Sequence, residues 1–329
     1  MLPAVQRLPV GVLVPVLNCR DDLERHLAVM ERWIDLVDEI VVVDSQSSDG
    51  SLEFLKDNLD HPKITFVDHP PGLYPAWNHG IGLLSSKYFF VSTTCDGMER
   101  SGLERMYETV VSMDADVLIG VPDLVDGRGQ PKGKRWPLHD FVDSNGISEA
   151  CLIDPWDWLA WASMFLPATL MGSSASNLYR TQFMQDRPFS SEYSRMGDSA
   201  WAIEHAFSGR IGIEPRAASF FWVHGAPEGI HEQYAQTIQS FVDLLGRVIA
   251  RQRDRGDRGP LEVQEVLQEF EDHKEALVEY FMLAADYQML KRSGSIWDRA
   301  RAFRIRMRRR KFHQWRKRFR ERGQALLSK

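Results

Sequence analysis

The chain has 329 residues, enough for one large domain with an appendage or for two medium domains. Hydrophobic residues at 43% and charged residues at 26% are ordinary for a globular protein, and no apolar run approaches the roughly 20 residues that span a bilayer. Cysteines at 19, 95 and 151 exclude a disulfide framework and a metal-knuckle spacing, which points to a reducing cytoplasm. The N-terminal "MLPAVQRLPVGVLVPVLN" has the look of a short signal sequence. Its prolines and its continuation into strand-like sequence argue against that reading. The net charge of −6 hides an asymmetry. Between Arg299 and Arg322 there are 13 Lys or Arg residues against one acid, so this end carries +12 and the remainder −18. A basic end on an acidic body suggests contact with something anionic.

In chain order, "VGVLVPV" is a continuous β-branched run, as expected for a strand buried on both faces. Asp21 and Asp22 open a predicted helix whose apolar residues Leu23, Leu27, Met30, Ile34 and Val37 step by 4, 3, 4 and 3. "EIVVVD" reads as the next strand, followed by "SQSSDGS" and a helix through Leu52, Leu55 and Leu59. "KITFVD", "KYFFVS" and "DVLIGV" are further strands, with a helix through Leu103, Met106 and Val110 before the last of them. Such alternation specifies an α/β fold with a mainly parallel sheet flanked by helices. The middle, roughly 122–170, is less regular. It holds the basic loop "VDGRGQPKGKRWP" and the tryptophan-dense "DPWDWLAWASMF", which reads as a packed cap. From Ile230 the pattern becomes helical, with one helix broken by "GDRGP" and another running from Val263 through Leu267, Phe270, Leu277 and Phe281 to Ala284. These shifts divide the chain into 1–228, 229–292 as a helical extension, and 293–329 as a basic amphipathic tail.

In a parallel sheet, ligands bind beyond the carboxyl ends of the strands. The polar residues there are Asn18, then Asp44 and Asp49, then Thr93 to Asp96. Each taken alone reads as a turn former or helix cap. As a series, "VGVLVPVLN", "EIVVVDSQSSDGS" and "PGLYPAWNHGIGLLSSKYFFVSTTCDG" resemble glycosyltransferase family 2, on the GT-A (Rossmann-like) fold, over roughly residues 9–225.

The resemblance implies an inverting transferase that moves a sugar from a nucleotide-sugar donor, with UDP-sugars favoured, to a hydroxyl of a glycan or lipid-linked acceptor. It implies donor binding by Pro15, Val16, Asn18, Asp44, Ala76, Asn78, Thr94, Cys95 and Asp96, with Trp77 packed beneath the ligand. Ser45 stands where many relatives have a second aspartate, and Asp49 caps the following turn. Thr93 and Cys95 occupy the places of the family's Asp-x-Asp pair, so the metal site is altered. Two arrangements are open. Asp96 could carry a divalent cation, Mn²⁺ or Mg²⁺, with His224 as a further metal ligand; hard ions prefer carboxylate oxygen to thiol. Alternatively, Lys132, Lys134, Arg135 and Arg180 could offset the leaving diphosphate without metal. "MGSSASNLYRTQFM" resembles the family's acceptor-side segment, and "MGDSAWAIEHAFSG" its acidic motif, with Asp198 as general base. The competing reading of Asp198 is a helix cap. The altered Asp-x-Asp pair also supports a non-catalytic relative that binds nucleotide-sugar or glycan as a scaffold or regulator.

In the tail, Ile296, Ala300, Phe303 and Met307 step by 4, 3 and 4, and Phe312, Trp315 and Phe319 by 3 and 4, among arginines. Over 296–322 this pattern suits an anionic membrane surface, which would make the protein peripheral on the inner face. Packing on the acidic body, or a homo-oligomer contact, is the next reading, and nucleic acid is the least favoured.

Overall fold

The computed structural model describes residues 7–94, 96–133, 135–223, 230–293 and 296–328. In chain order these fold as β1 (Val10–Val16), α1 (Arg20–Met30), β2 (Glu39–Asp44), α2 (Ser51–Asn58), β3 (Ile64–Asp68), α3 (Leu73–Leu83), β4 (Tyr88–Val91), β5 (Asp96–Met98) and α4 (Arg100–Ser112). There follow β6 (Val117–Gly120), β7 (Asp123–Val125), α5 (Pro137–Ser144), β8 (Cys151–Leu152), α6 (Pro155–Phe165), β9 (Leu178–Arg180), α7 (Thr181–Gln185), α8 (Gly197–Glu204), β10 (Ile211–Glu214) and β11 (Ser219–Trp222). Three long helices close the chain: α9 (Ile230–Asp254), α10 (Leu261–Ser293) and α11 (Ile296–Leu327).

The main sheet has eight strands in the order β3-β2-β1-β4-β9-β6-β10-β8. β1, β2, β3 and β4 run parallel, as do β6 and β10, while β9 is antiparallel between β4 and β6. The apolar runs of β1, β2, β4 and β6 are buried on both faces because two hydrophobic clusters cover the sheet, whereas β3, at its edge, is only partly covered. One cluster packs Leu23, Met30, Leu103, Met106 and Val110 of α1 and α4 against Val10, Val12 and Val14. The other holds Leu13, Val41 and Val43 against α3, then continues through α6 into the closing helices. A small second sheet, β5-β11-β7, lies beyond the end of β4.

Two local departures have plain causes. The predicted helix through Val37 stops at Met30; a separate 3-10 turn at Ile34–Leu36 carries the rest of the apolar repeat. Both pieces keep their apolar side chains in the same cluster, so periodicity alone cannot see the break. The segment at Gly80 requires a glycine for closeness. A Cβ there would sit 2.3 Å from Leu13 Cδ1, so α3 lies directly on the sheet.

Every residue of α6 except Pro155 is buried, as the tryptophan density suggested. It is sandwiched between the sheet and the closing helices. α11 lies along α10 and also packs on α6. Phe319 is buried, Trp315 stacks on His273 and on Phe319, and Arg320 donates to the Met164 carbonyl. The expectation of an aromatic stripe free to meet a headgroup layer therefore does not hold for Trp315 and Phe319. Their rings are covered by the body of the same chain, because apolar surface was available on α10 and α6.

Candidate active site

The carboxyl ends of β1, β2 and β4 open into one cleft with two adjoining lobes. The larger, about 700 Å³, is lined by Pro15, Val16 and Ser45 at the strand ends, by Ala76 and Trp77 of α3, and by Thr94. The smaller, about 450 Å³, contains Asp96, Ser173, Ser174 and Asp198, with Trp136 and Tyr234 on its walls. Leu73, Tyr74, Trp77, Thr93 and Arg195 face both. Polar residues from distant stretches of sequence thus meet in one hollow.

Asp44 ends β2 just before Ser45 and is 2% exposed. Its Oδ2 accepts the Ser47 N–H at 3.0 Å, whereas Oδ1 is buried without a partner among the described residues. An unpaired buried acceptor costs about 1–3 kcal/mol, which an incoming N–H or O–H donor would relieve. Asn18 and Asn78 do not line the cleft. Asn18 sits at φ 47°, accepts the Ser48 N–H and donates its own N–H to Ser47 Oγ, so it staples the exit of β1 to the β2–α2 loop. Asn78 makes a reciprocal pair of bonds with the Phe189 backbone, at 2.8 and 3.0 Å. Asp49 accepts from the Arg20 N–H and from Ser51, the expected turn-capping role.

Two consecutive serines organise the carboxylates of the smaller lobe. Ser173 Oγ donates to Asp96 Oδ2 at 2.8 Å, and Ser174 Oγ donates to Asp198 Oδ2 at 2.8 Å. Thr93 Oγ1 adds a second bond to Asp96 Oδ2, leaving Oδ1 buried and unpartnered among the described residues. Burial pushes the Asp96 carboxyl up to about 6, against the opposing pull of these hydroxyls. Asp198 stands in the first turn of α8, where its Oδ1 accepts the Ser199 N–H at 2.6 Å. It is only partly exposed, and burial raises its pKa while Ser174, Ser199 and Tyr74 oppose the rise. Tyr74 accepts the Asp198 N–H and donates to the Arg195 carbonyl, both at 3.0 Å. Gly197 permits this approach: a Cβ there would lie 2.5 Å from the Tyr74 ring. Burial and the neighbouring Asp198 push the Tyr74 phenol far up, so it stays protonated.

The cations expected from the sequence lie elsewhere. Arg180 pairs with Asp114 and Asp116 at 2.7 and 2.8 Å, beside Tyr88 at the amino end of β4 and so across the sheet from the cleft. Arg135 is held by Asp140 and Asp143 at 3.0 and 2.6 Å, and with Lys132 it lines a separate hollow of about 360 Å³. Lys134, Cys95 and His224 fall outside the described residues. Among the described residues, the cation that lines the cleft is Arg195, which faces both lobes and forms no ion pair with any of them. Sequence reasoning missed it because an arginine in an irregular stretch before α8 carries no periodic signal. It also missed the hydroxyls of Ser173 and Ser174, although "MGSSAS" was marked as an acceptor-side turn.

Among the described residues, no group of three or more His, Cys, Asp or Glu side chains could hold a metal ion. The remaining donor set is one carboxylate with a free oxygen, Asp96 Oδ1, flanked by two hydroxyls. That set fits an ion ligated chiefly by donor phosphates and water.

The family model for glycosyl transferase family 2 matches residues 11–160. Over that stretch, less than half of its length, the chain is similar to this family. A curated relative, Glycosyltransferase GlyA of Streptococcus pneumoniae serotype 4, is 30% identical over 115 residues, which is 34% of this chain and 16% of that protein. The chain therefore matches only a small part of the relative's length. Among solved structures, residues 1–349 of TarS from S. aureus, in complex with UDP-GlcNAc, superpose with a TM-score of 0.53 at 17% identity, covering 93% of this chain and 92% of that one. The mannosyltransferase PcManGT of Pyrobaculum calidifontis, with GDP-Man and Mn²⁺, gives 0.57 at 18% identity, covering 98% and 86%. At such identities the likeness concerns the fold, which is GT-A with closing C-terminal helices.

Proposed function

We propose that this protein is an inverting glycosyltransferase that binds a nucleotide-sugar in the larger lobe and an acceptor hydroxyl in the smaller one. The observation that carries the reading is the pair of adjacent serines holding Asp96 and Asp198 in a lobe that shares a wall with the strand-end lobe. Pro15, Val16 and Ser45 would flank the base and ribose, and Asp44 Oδ1 would accept a ring N–H or sugar hydroxyl. Solved neighbours with UDP-GlcNAc and GDP-Man support a nucleoside diphosphate sugar as the donor class.

In this reading Asp198 takes the acceptor's hydroxyl proton as the oxygen attacks the anomeric carbon. The carbon–oxygen bond to the diphosphate breaks on the opposite face, and the nucleoside diphosphate leaves with the bonding pair. The raised pKa of Asp198 strengthens it as a base, and Ser174, Ser199 and Tyr74 fix its direction. Arg195, at the junction of the lobes, is positioned to stabilise the charge developing on the diphosphate. If a divalent cation accompanies the donor, Asp96 would be its protein ligand, and the ion would supply charge neutralisation of the diphosphate. A thermal-shift screen across UDP-, GDP- and dTDP-sugars, each with and without Mn²⁺, tests the donor and the ion together. Stabilisation by one nucleotide series, lost in Asp44→Ala, is the expected outcome; no shift with any nucleotide would overturn the reading.

A further inference from the structure

A second concave surface lies far along the chain from the cleft residues. Between α10 and α11 runs a groove of about 640 Å³ walled by Tyr280, Tyr287 and Phe303 and fringed by Arg306, Arg310 and His313. Arg309 lies over the rings of Tyr280 and Tyr287, at 5.0 and 5.8 Å from their centroids, which fixes a guanidinium against the aromatic wall. Tyr280 and His313 also belong to an adjoining hollow of about 300 Å³ that adds Arg316, Lys317 and Arg320. The two hollows thus form one basic, aromatic track.

The charge along this track is only partly neutralised within the fold. Lys317 pairs with Glu321, Asp140 faces Arg320, and outside the groove Arg308 pairs with Glu279. Arg306 and Arg310 form no ion pair among the described residues. Among the described residues the hydrogen bonds of Arg316 and Arg320 go to backbone carbonyls, those of Leu166 and Met164, and burial, joined by the repulsion of Arg320, lowers the Arg316 pKa to about 9. An anion seated here would relieve both the repulsion and the poor solvation.

We infer that the α10–α11 groove binds a phosphate-bearing saccharide, the stretch of acceptor that lies outside the cleft. The inference rests on the glycosyltransferase reading. Arginine outnumbers lysine in the track, as suits bidentate contact with phosphate, while the exposed Phe303 offers a flat face to a sugar ring and Tyr280 and Tyr287 back the Arg309 guanidinium. The groove also connects to the reacting site through the chain. Arg316 holds the carbonyl of Leu166, and the next two residues, Pro167 and Ala168, line the lobe that contains Asp198. A concave track suits a discrete chain better than a flat lipid surface, which would leave the groove unfilled. The exposed Phe303 and Met307 nevertheless make a membrane the natural rival.

The test uses the full chain, with short-chain inorganic polyphosphate as probe in a calorimetric titration and vesicles of phosphatidylglycerol and phosphatidylcholine in a parallel sedimentation assay. Saturable one-to-one binding of polyphosphate, weakened about tenfold or more in the exposed double variant Arg306→Gln/Arg310→Gln, is expected. Vesicle binding without saturable polyphosphate binding would overturn the inference in favour of a membrane. Polyphosphate binding that the double variant leaves unchanged would overturn it as well. Nucleotide affinity, measured on the same samples, separates this failure from failure of the donor reading, since neither arginine lies in the cleft.

Discussion

The two lobes of the cleft are built from different kinds of chain, and they behave differently as objects of inference. The larger lobe is floored by the ends of parallel strands, whose positions follow from apolar runs and hydrogen-bonded register. The smaller lobe is assembled from a 3-10 turn at Ser174–Ser176, the first turn of α8, and a loop around Trp136. Strand ends give a rigid wall on which a nucleotide can be recognised. Irregular segments let two carboxylates be aimed by neighbouring hydroxyls, at the expense of burying charge.

That contrast can be broken most severely at Asp198. Replacing it with Asn should lower turnover by about 10²–10⁴-fold while leaving the fold and nucleotide affinity intact, since only the base is removed. Steady-state transfer, or nucleotide release from the donor, measured beside a nucleotide titration checks this; lost affinity would mean that the two lobes are not separable.

The buried charge in the smaller lobe gives the next largest effect. With its pKa raised from 3.8 to about 6, Asp96 keeps its proton in the folded protein over a window where the unfolded chain has lost it. Stability should therefore fall as pH rises from about 4 to 6, by about 3 kcal/mol in all, and then level off. Denaturant melts of Asp96→Asn should lose this share of the slope, leaving only that of Asp198, whose pKa burial also raises. An unchanged slope would assign it to another group.

In the larger lobe, Asp44→Ala should weaken nucleotide binding by about 10–100-fold, the effect of removing one buried acceptor for a ligand donor. Titration of the nucleotide reads this directly, and turnover at saturating donor should change far less. The smallest effect is expected from Ser174→Ala. Loss of its bond removes an influence that lowers the Asp198 pKa, so the acid limb of the pH–rate profile should move upward, with a fall of only a few-fold at the optimum. A uniform loss at all pH values would indicate mere disorder of the turn.

Much of the larger lobe was legible through the family resemblance, which picks out residues at the strand ends and on α3. Pro15, Val16, Ala76 and Thr94 line it, whereas Asp44 is buried next to the lining Ser45 and is not itself among the lining residues. Asn18 and Asn78 show the limit of that logic: the same residue types also staple loops, and only hydrogen-bond partners distinguish the two roles. In the smaller lobe Asp96 and Asp198 were legible as carboxylates, but Arg195, Ser173 and Ser174 were not, because long-range packing of irregular chain brings them there. The basic tail was visible as a charge run. Which of its faces is covered depends on the apolar surface of α6 and α10, which the tail's own sequence does not encode.

The central claim is that one lobe holds the nucleotide while Asp198, in the other, takes the proton. Nucleotide release from the best-binding donor, compared between the wild-type chain and Asp198→Asn with nucleotide affinity measured in parallel, tests it most directly. Loss of release at unchanged affinity is the predicted result. Equal release by the two proteins would contradict it.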